Sequence, residues 1–276
     1  MPVPENGSKD RMQNNSLSFE DLDFLMRDEM RAHRLALEFA NVDLGLRDRG
    51  IKSTIVVVGS SRALSPGDAR RSVDSTQRQK SPAIEKKLNQ LAVWYEQARE
   101  FSRIASERGG ALLSEHGMCE NVITTGGGPG IMEAANRGAA EAGAPTIAFN
   151  IRLPTEQQPN KYVTPELSFQ FRYFAIRKMH FAMRANALAV FPGGLGTMDE
   201  LFEILTLKQT SKTPSMPVVL FCRSYWEEIV NFAALAELGT ISESDLTLFQ
   251  IVDSAEEGWQ AMVKLGLTTQ TPLREA

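Results

Sequence analysis

The sequence predicts an α/β fold with a doubly wound parallel sheet, entered through an N-terminal helical extension. Three observations carry that expectation. Short apolar runs without polar alternation, such as Thr54–Val58 and Ala187–Phe191, have the pattern of strands covered on both faces. Stretches of helical periodicity separate those runs, the longest from Ile84 to Arg108. Two glycine-rich turns each lead an apolar run into a helical pattern. Strand and helix patterns alternating in this way imply a parallel sheet.

Taken in order, residues 1–16 read as a flexible polar tail. Ser18 and Asp21 open a helix-like stretch with Phe24, Leu25, Leu35, Leu37 and Phe39 as its apolar contacts, and Gly50 closes it. Residues 1–50 are therefore a tail and helical extension, and residues 51–276 one large α/β domain. Thr54–Val58 is the first strand and ends in the turn Gly59-Ser60-Ser61-Arg62. Residues 63–81 read as a long polar loop carrying Arg70, Arg71, Arg78 and Lys80. The helix from Ile84 to Arg108 puts Leu88, Leu91, Tyr95, Ala98, Phe101 and Ile104 on its apolar side, with a further helical turn expected toward His116.

Strands follow at 122–125, 146–149 and 167–171, then a helix at 175–184 and a strand at 187–191. A helix from Leu201 to Gln209, a strand at 217–221, one helix from Tyr225 to Leu238, a strand at 246–252 and a helix at 255–265 complete the pattern.

Composition bounds the function. Hydrophobic residues at 42% and charged residues at 23% are globular values, and a net charge of −4 argues against general nucleic-acid binding. No apolar run approaches the ~20 residues of a membrane span, and the polar N-terminus has no secretion-signal core. Cys119 and Cys222 suit reduced, buried thiols, which points to the cytoplasm. Three scattered histidines give no metal-ligand spacing, and no Gly-x-Ser-x-Gly elbow supports a nucleophilic triad. His180, between Met179 and Phe181, reads as a packed side chain. Neither a metal nor a cofactor is expected.

The turns carry the chemistry. Phe191-Pro192-Gly193-Gly194-Leu195-Gly196-Thr197-Met198-Asp199-Glu200 places three glycines ahead of a helix, whose free N–H groups and dipole favour an anion such as phosphate. Thr197 adds a hydroxyl and Glu200 a carboxylate. Gly126-Gly127-Gly128-Pro129-Gly130 is the second such turn, with Glu133 one turn into its helix. Both turns would meet at one sheet edge and clasp a ligand from two sides. The Gly126–Gly130 turn lacks both the spaced dinucleotide fingerprint and the Gly-Lys-Ser/Thr ending of a triphosphate loop, which leaves a mononucleotide as the simplest anionic ligand. Glu133 would bind a ribose hydroxyl or merely complement the helix dipole.

These paired motifs, with the Gly59–Arg62 turn and the Arg177-Lys178 pair, resemble the LOG family over about Thr54 to Phe221. LOG proteins are cytokinin riboside 5′-monophosphate phosphoribohydrolases, often mislabelled lysine decarboxylases. The resemblance implies a Rossmann-like homodimer or higher homo-oligomer that splits a nucleoside 5′-monophosphate into free base and ribose 5-phosphate. It implies Arg177 and Glu200 as catalytic residues. Ser60, Gly127, Gly128, Gly130, Glu133, Lys178, Gly193, Gly194, Gly196 and Thr197 would contact substrate. Glu156 falls where the family has a substrate-contacting glutamate, and Thr206 is a looser match.

The chemistry of the residues runs the same way. Breaking an N-glycosidic bond builds positive charge on the ribose, so a facing carboxylate stabilises the transition state and activates water. Arg177, fixed in charge, would fork onto the phosphate or the departing base. The alternative is a carrier of a nucleotide or of molybdenum cofactor on the same fold. Residues 1–50 and 63–81 depart from the shortest family members.

Overall fold

A computed structural model describes residues 17–75, 82–112, 117–152, 158–213 and 216–268. The chain enters through a short helix, α1 (Leu22–Leu25), whose first turn is capped by the Asp21 carboxylate accepting from the Phe24 N–H at 2.9 Å. A 3₁₀ turn leads into α2 (Arg31–Asp48), and Gly50, at φ 66°, turns the chain toward the sheet.

The strands are β1 (Thr54–Val58), β2 (Val122–Thr125), β3 (Ile147–Ile151), β4 (Ser168–Phe171), β5 (Ala185–Val190), β6 (Val218–Phe221) and β7 (Gln250–Val252). They form one sheet in the order β4-β3-β2-β1-β5-β6-β7, and every described pairing is parallel. Between them run α3 (Pro66–Ser75), α4 (Pro82–Arg108), α5 (Ile131–Glu141), α6 (Phe174–Met183), α7 (Leu195–Gln209), α8 (Arg223–Ile229) and α9 (Phe232–Glu237), with α10 (Ala255–Lys264) last. The fold is the expected Rossmann-like α/β class.

β1 shows why its sequence lacks polar alternation. Val56 and Val58 join a core shared with α2, α6, α7 and α8, while Ile55 and Val57 face a second core built on α4, α5 and α10. Both faces are thus covered by helices. The chain runs outward from β1 to β4, then returns to lay β5 on the other side of β1. That reversal opens a crevice beyond the carboxyl ends of β1 and β5, where ligands bind in open α/β sheets.

Several boundaries differ from the sequence reading. The polar stretch after β1 is helical from Pro66 to Ser75, because the Ser65 hydroxyl accepts from the Asp68 N–H at 3.2 Å and donates to the Asp68 carboxylate at 2.6 Å. Residues 76–81, the expected turn at 113–116 and the tail at 1–16 lie outside the described residues. The expected helix from Tyr225 to Leu238 is two, α8 and α9, because the Asn231 side chain starts a new helix by accepting from the Ala234 N–H. Residues 243–248 form a 3₁₀ turn closed by a Ser242–Asp245 capping box, which takes the first part of the strand expected at 246–252 and leaves β7 three residues long. Cys119 is buried, but Cys222 is half-buried, at φ 74° ahead of α8.

Candidate active site

β5 delivers the chain to Pro192-Gly193-Gly194, and α7 begins at Leu195 rather than at Leu201. Gly196 and Thr197 therefore stand in the first turn, and Glu200 in the second. Gly193 is required by packing, since a Cβ there would lie 2.0 Å from the Thr197 Oγ1. Its carbonyl accepts a 2.6 Å hydrogen bond from the Tyr225 hydroxyl, which holds the turn in place. Gly194 and Gly196 are different: a Cβ at either would meet nothing within 4 Å. The first hydrogen bond within α7 runs from the Met198 N–H to the Gly194 carbonyl. The amides of Leu195, Gly196 and Thr197 precede it and have no acceptor within the helix.

Those residues line a cleft of about 670 Å³, a size suited to a small-molecule ligand. Ser60 and its neighbours Gly59, Ser61 and Arg62 form another wall, after β1. From the first glycine turn only Gly126 reaches the cleft, with Met132 behind it. Gly127, at φ 72°, packs on β3, where a Cβ would come within 2.6 Å of the Ala148 Cβ. Gly128 packs on Met132, and Gly130, at φ 73°, lies against the Ser60 carbonyl. The Ile131 N–H at the start of α5 donates to that same carbonyl at 3.0 Å, so this helix end is already partly occupied. Glu133 accepts from the Tyr95 hydroxyl at 3.0 Å, outside the cleft lining.

Arg177 reaches into the cleft from α6. Its Nε donates to the Phe149 carbonyl at 2.8 Å, its guanidinium carbon sits 4.9 Å from the Phe181 ring centre, and Nη2 lies against Gly126. Nη1 stands 3.7 Å from the Glu200 Oε1, too far for a hydrogen bond, with the two side chains 14% and 12% exposed. Burial lowers the Arg177 pKa, and Glu200 and Asp199 pull it partly back. Burial raises Glu200 above the usual carboxylate range despite the opposing pull of Arg177 and Lys178. Two titratable groups shifted in this way in one cleft mark a candidate site for chemistry.

Lys178 and Thr206 sit elsewhere. They line a neighbouring open groove along α7, where the Lys178 ammonium pairs with Asp199 at 2.8 Å and Glu203 at 3.3 Å. The Thr206 hydroxyl donates to the Phe202 carbonyl. Glu156 lies outside the described residues. The sequence reading did not single out Trp94, Phe174 or Tyr225, all three on the cleft wall. Tyr225 was within reach, because residues just past β6 must stand at the same sheet edge as those past β5. Trp94 had no local signal, sitting beside the apolar stripe of a long helix.

Residues 132–262 match the family model described as possible lysine decarboxylase. The matched span takes in Arg177 and the Pro192–Glu200 turn, part of the stretch that resembles the LOG family in sequence. No curated protein matches it. Among solved structures, that of TM1055 is 20% identical with a TM-score of 0.47, covering 77% of this chain and 99% of its own. A molybdenum cofactor carrier protein from Chlamydomonas reinhardtii is 20% identical with a TM-score of 0.45, covering 78% and 98%. The molybdenum cofactor binding protein of the phototrophic bacterium Rippkaea orientalis is 18% identical with a TM-score of 0.44, covering 79% and 96%. Among the described residues, no group of three or more His, Cys, Asp or Glu could hold a metal ion, and no helix is long and apolar enough to cross a membrane.

Proposed function

We propose that this chain is a LOG-type nucleoside 5′-monophosphate phosphoribohydrolase, acting on AMP or a cytokinin riboside 5′-monophosphate. The observation that carries the reading is the buried approach of Arg177 to Glu200 in the cleft onto which the start of α7 opens. The phosphate sits on the amides of Gly194 to Thr197 and anchors the ribose beside Glu200. As the C1′–N bond lengthens, positive charge grows on the ribose, and the Glu200 carboxylate stabilises it and orients a water molecule. The water oxygen bonds to C1′, the bond electrons leave with the base, and the water's proton ends on that base. Arg177, locked by Phe149 and Phe181, donates to the departing base or the phosphate. The products are free base and ribose 5-phosphate. In this reading Ser60 also contacts substrate, while Gly127, Gly128 and Gly130 shape the wall behind Gly126. The working assembly is a homodimer or a higher homo-oligomer.

The family model's description does not fit the lysines near the site. Pyridoxal-dependent decarboxylation needs a lysine free to form a Schiff base. Lys178 is held by two carboxylates, and the Lys208 ammonium donates to the Met216 and Leu248 carbonyls away from the cleft.

The test is a product assay over a panel of nucleoside monophosphates and the matching nucleosides, reading free base and ribose 5-phosphate together. Base release from a monophosphate with poor release from its nucleoside is expected. Equal rates on both remove the phosphate anchor. Tight nucleotide binding with no base release across the panel replaces the hydrolase with a carrier.

A further inference from the structure

The cleft described above leaves the N-terminal helix α2 without a role, yet its contacts converge on α6, the helix that carries Arg177. Tyr173 caps the start of α6, and its own side chain makes no capping hydrogen bond. A carboxylate from α2 instead holds the two amides just ahead of the helix's first residue. The Glu38 carboxylate accepts from the Arg172 N–H at 2.9 Å through one oxygen and from the Tyr173 N–H at 3.0 Å through the other. A carboxylate at a helix N-terminus satisfies free donors and opposes the positive end of the dipole. Arg34, one turn earlier on α2, donates from Nε to the Tyr173 hydroxyl at 3.0 Å, and from Nη1 to the Leu25 and Arg27 carbonyls.

The middle and the far end of α6 are held by the same helix. The Phe39 ring lies 5.0 Å from the His180 ring, centre to centre. Asp43 meets Arg184, which follows the last turn of α6 and also donates to the Ile51 carbonyl. The connection to the site is a single helical turn, since the Arg177 N–H donates to the Tyr173 carbonyl at 3.2 Å. Glu38 thus fixes the residue whose carbonyl holds Arg177's own backbone.

We propose that Glu38 is a positioning residue: through Tyr173 it sets where α6 presents Arg177 to Glu200, and the N-terminal extension is a brace for the active site. The inference rests on the proposed role of Arg177 for its kinetic consequence, but the brace itself has a readout independent of activity. An error of about 1 Å in a reacting group is enough to lower a rate by up to ~100-fold, so a loosened α6 reduces turnover more than binding.

The experiment compares wild type, Glu38→Ala and Glu38→Gln in the full chain. Backbone hydrogen exchange and the steady-state hydrolysis of AMP, or of the best substrate found, are measured side by side. In Glu38→Ala, exchange at residues 173–178 accelerates while that of β1 and α4 is unchanged. At the same time kcat falls roughly 10-fold and KM moves less than about twofold. Glu38→Gln keeps one good acceptor and recovers turnover to within about threefold of wild type.

Unchanged exchange at 173–178 in Glu38→Ala overturns the brace. So does faster exchange spread evenly over the sheet, which would make Glu38 an ordinary stability residue, and so does a rise in KM with kcat intact. If wild type releases base from no nucleoside monophosphate, the hydrolase reading falls. The brace is then decided by exchange alone: local acceleration sustains it and unchanged exchange ends it.

Discussion

The two glycine turns look alike in the sequence, each ending a buried strand and opening a helix, but they use glycine for different reasons. At 126–130 the glycines are consumed by packing. Gly127 and Gly130 lie at positive φ, and a Cβ on Gly130 would stand 2.3 Å from the Ser60 carbonyl oxygen. At 193–197, Gly194 and Gly196 face open space above the cleft. Gly127 and Gly130 let the protein approach itself, whereas Gly194 and Gly196 leave room for a ligand. A glycine-rich strand-to-helix turn is therefore not by itself a phosphate cradle. What distinguishes the second turn is that, among the described residues, no carbonyl caps its helix start as Ser60 caps that of α5, and that a buried carboxylate stands one turn on.

The largest effect expected from breaking that distinction is at Glu200. Glu200→Gln removes the charge that the proposed mechanism sets against the ribose while keeping the shape, so turnover is expected to fall by ~100-fold or more with nucleotide affinity retained. Single-turnover base release beside equilibrium titration checks this, and near-normal turnover moves the carboxylate's role elsewhere. Next come paired alanines in the two turns. Gly130→Ala forces a strained φ and a backbone clash, and is expected to cost about 3 kcal/mol and to lower Tm by roughly 5 °C or more. Gly196→Ala, in the first turn of α7, leaves Tm the same or slightly higher, because alanine favours helix. Its methyl enters the cleft and weakens nucleotide binding by about 10-fold. Thermal melts and titrations of both variants sort the turns, and a stability loss in Gly196→Ala with intact binding would erase the difference between them.

The sheet was legible wherever burial left one reading. β1, β2 and β6 are buried along their whole length, so their sequences are continuous apolar or threonine runs. Segments whose structure depends on one side chain's local bonds were not. Ser65 turned an apparent polar loop into α3, Asn231 split a helix in two, and Ser242 with Asp245 converted half of a strand into a 3₁₀ turn. Within the site, the motifs named Arg177 and Glu200, but neither the 3.7 Å between them nor the Phe149 carbonyl that aims the arginine can be read from spacing. Lys178 illustrates the limit of adjacency: successive helix residues point about 100° apart, so it faces the next groove instead. Glu38 left no signal at all, because its partner amide at Tyr173 is 135 residues away.

The smallest predicted effect separates the Glu200 wall from the rest of the cleft by its stability rather than its rate. Burial holds the Glu200 carboxyl above its ordinary 4.5, and that direction already includes the attraction of Arg177 and Lys178. A group whose pKa is higher in the folded state than in the unfolded one adds stability below the unfolded value and loses it as pH climbs through the folded value. At neutral pH the ionised Glu200 therefore works against folding, and glutamine, which never ionises, escapes that penalty. Glu200→Gln should melt above wild type at pH 7, with the gain shrinking as the pH is lowered toward 4.5. A slope of the opposite sign, with the variant melting below wild type at pH 7 and drawing level in acid, would mean that the pairing with Arg177 outweighs burial. Glu200 would then belong to the scaffold as well as to the chemistry, as the glycines of the first turn do.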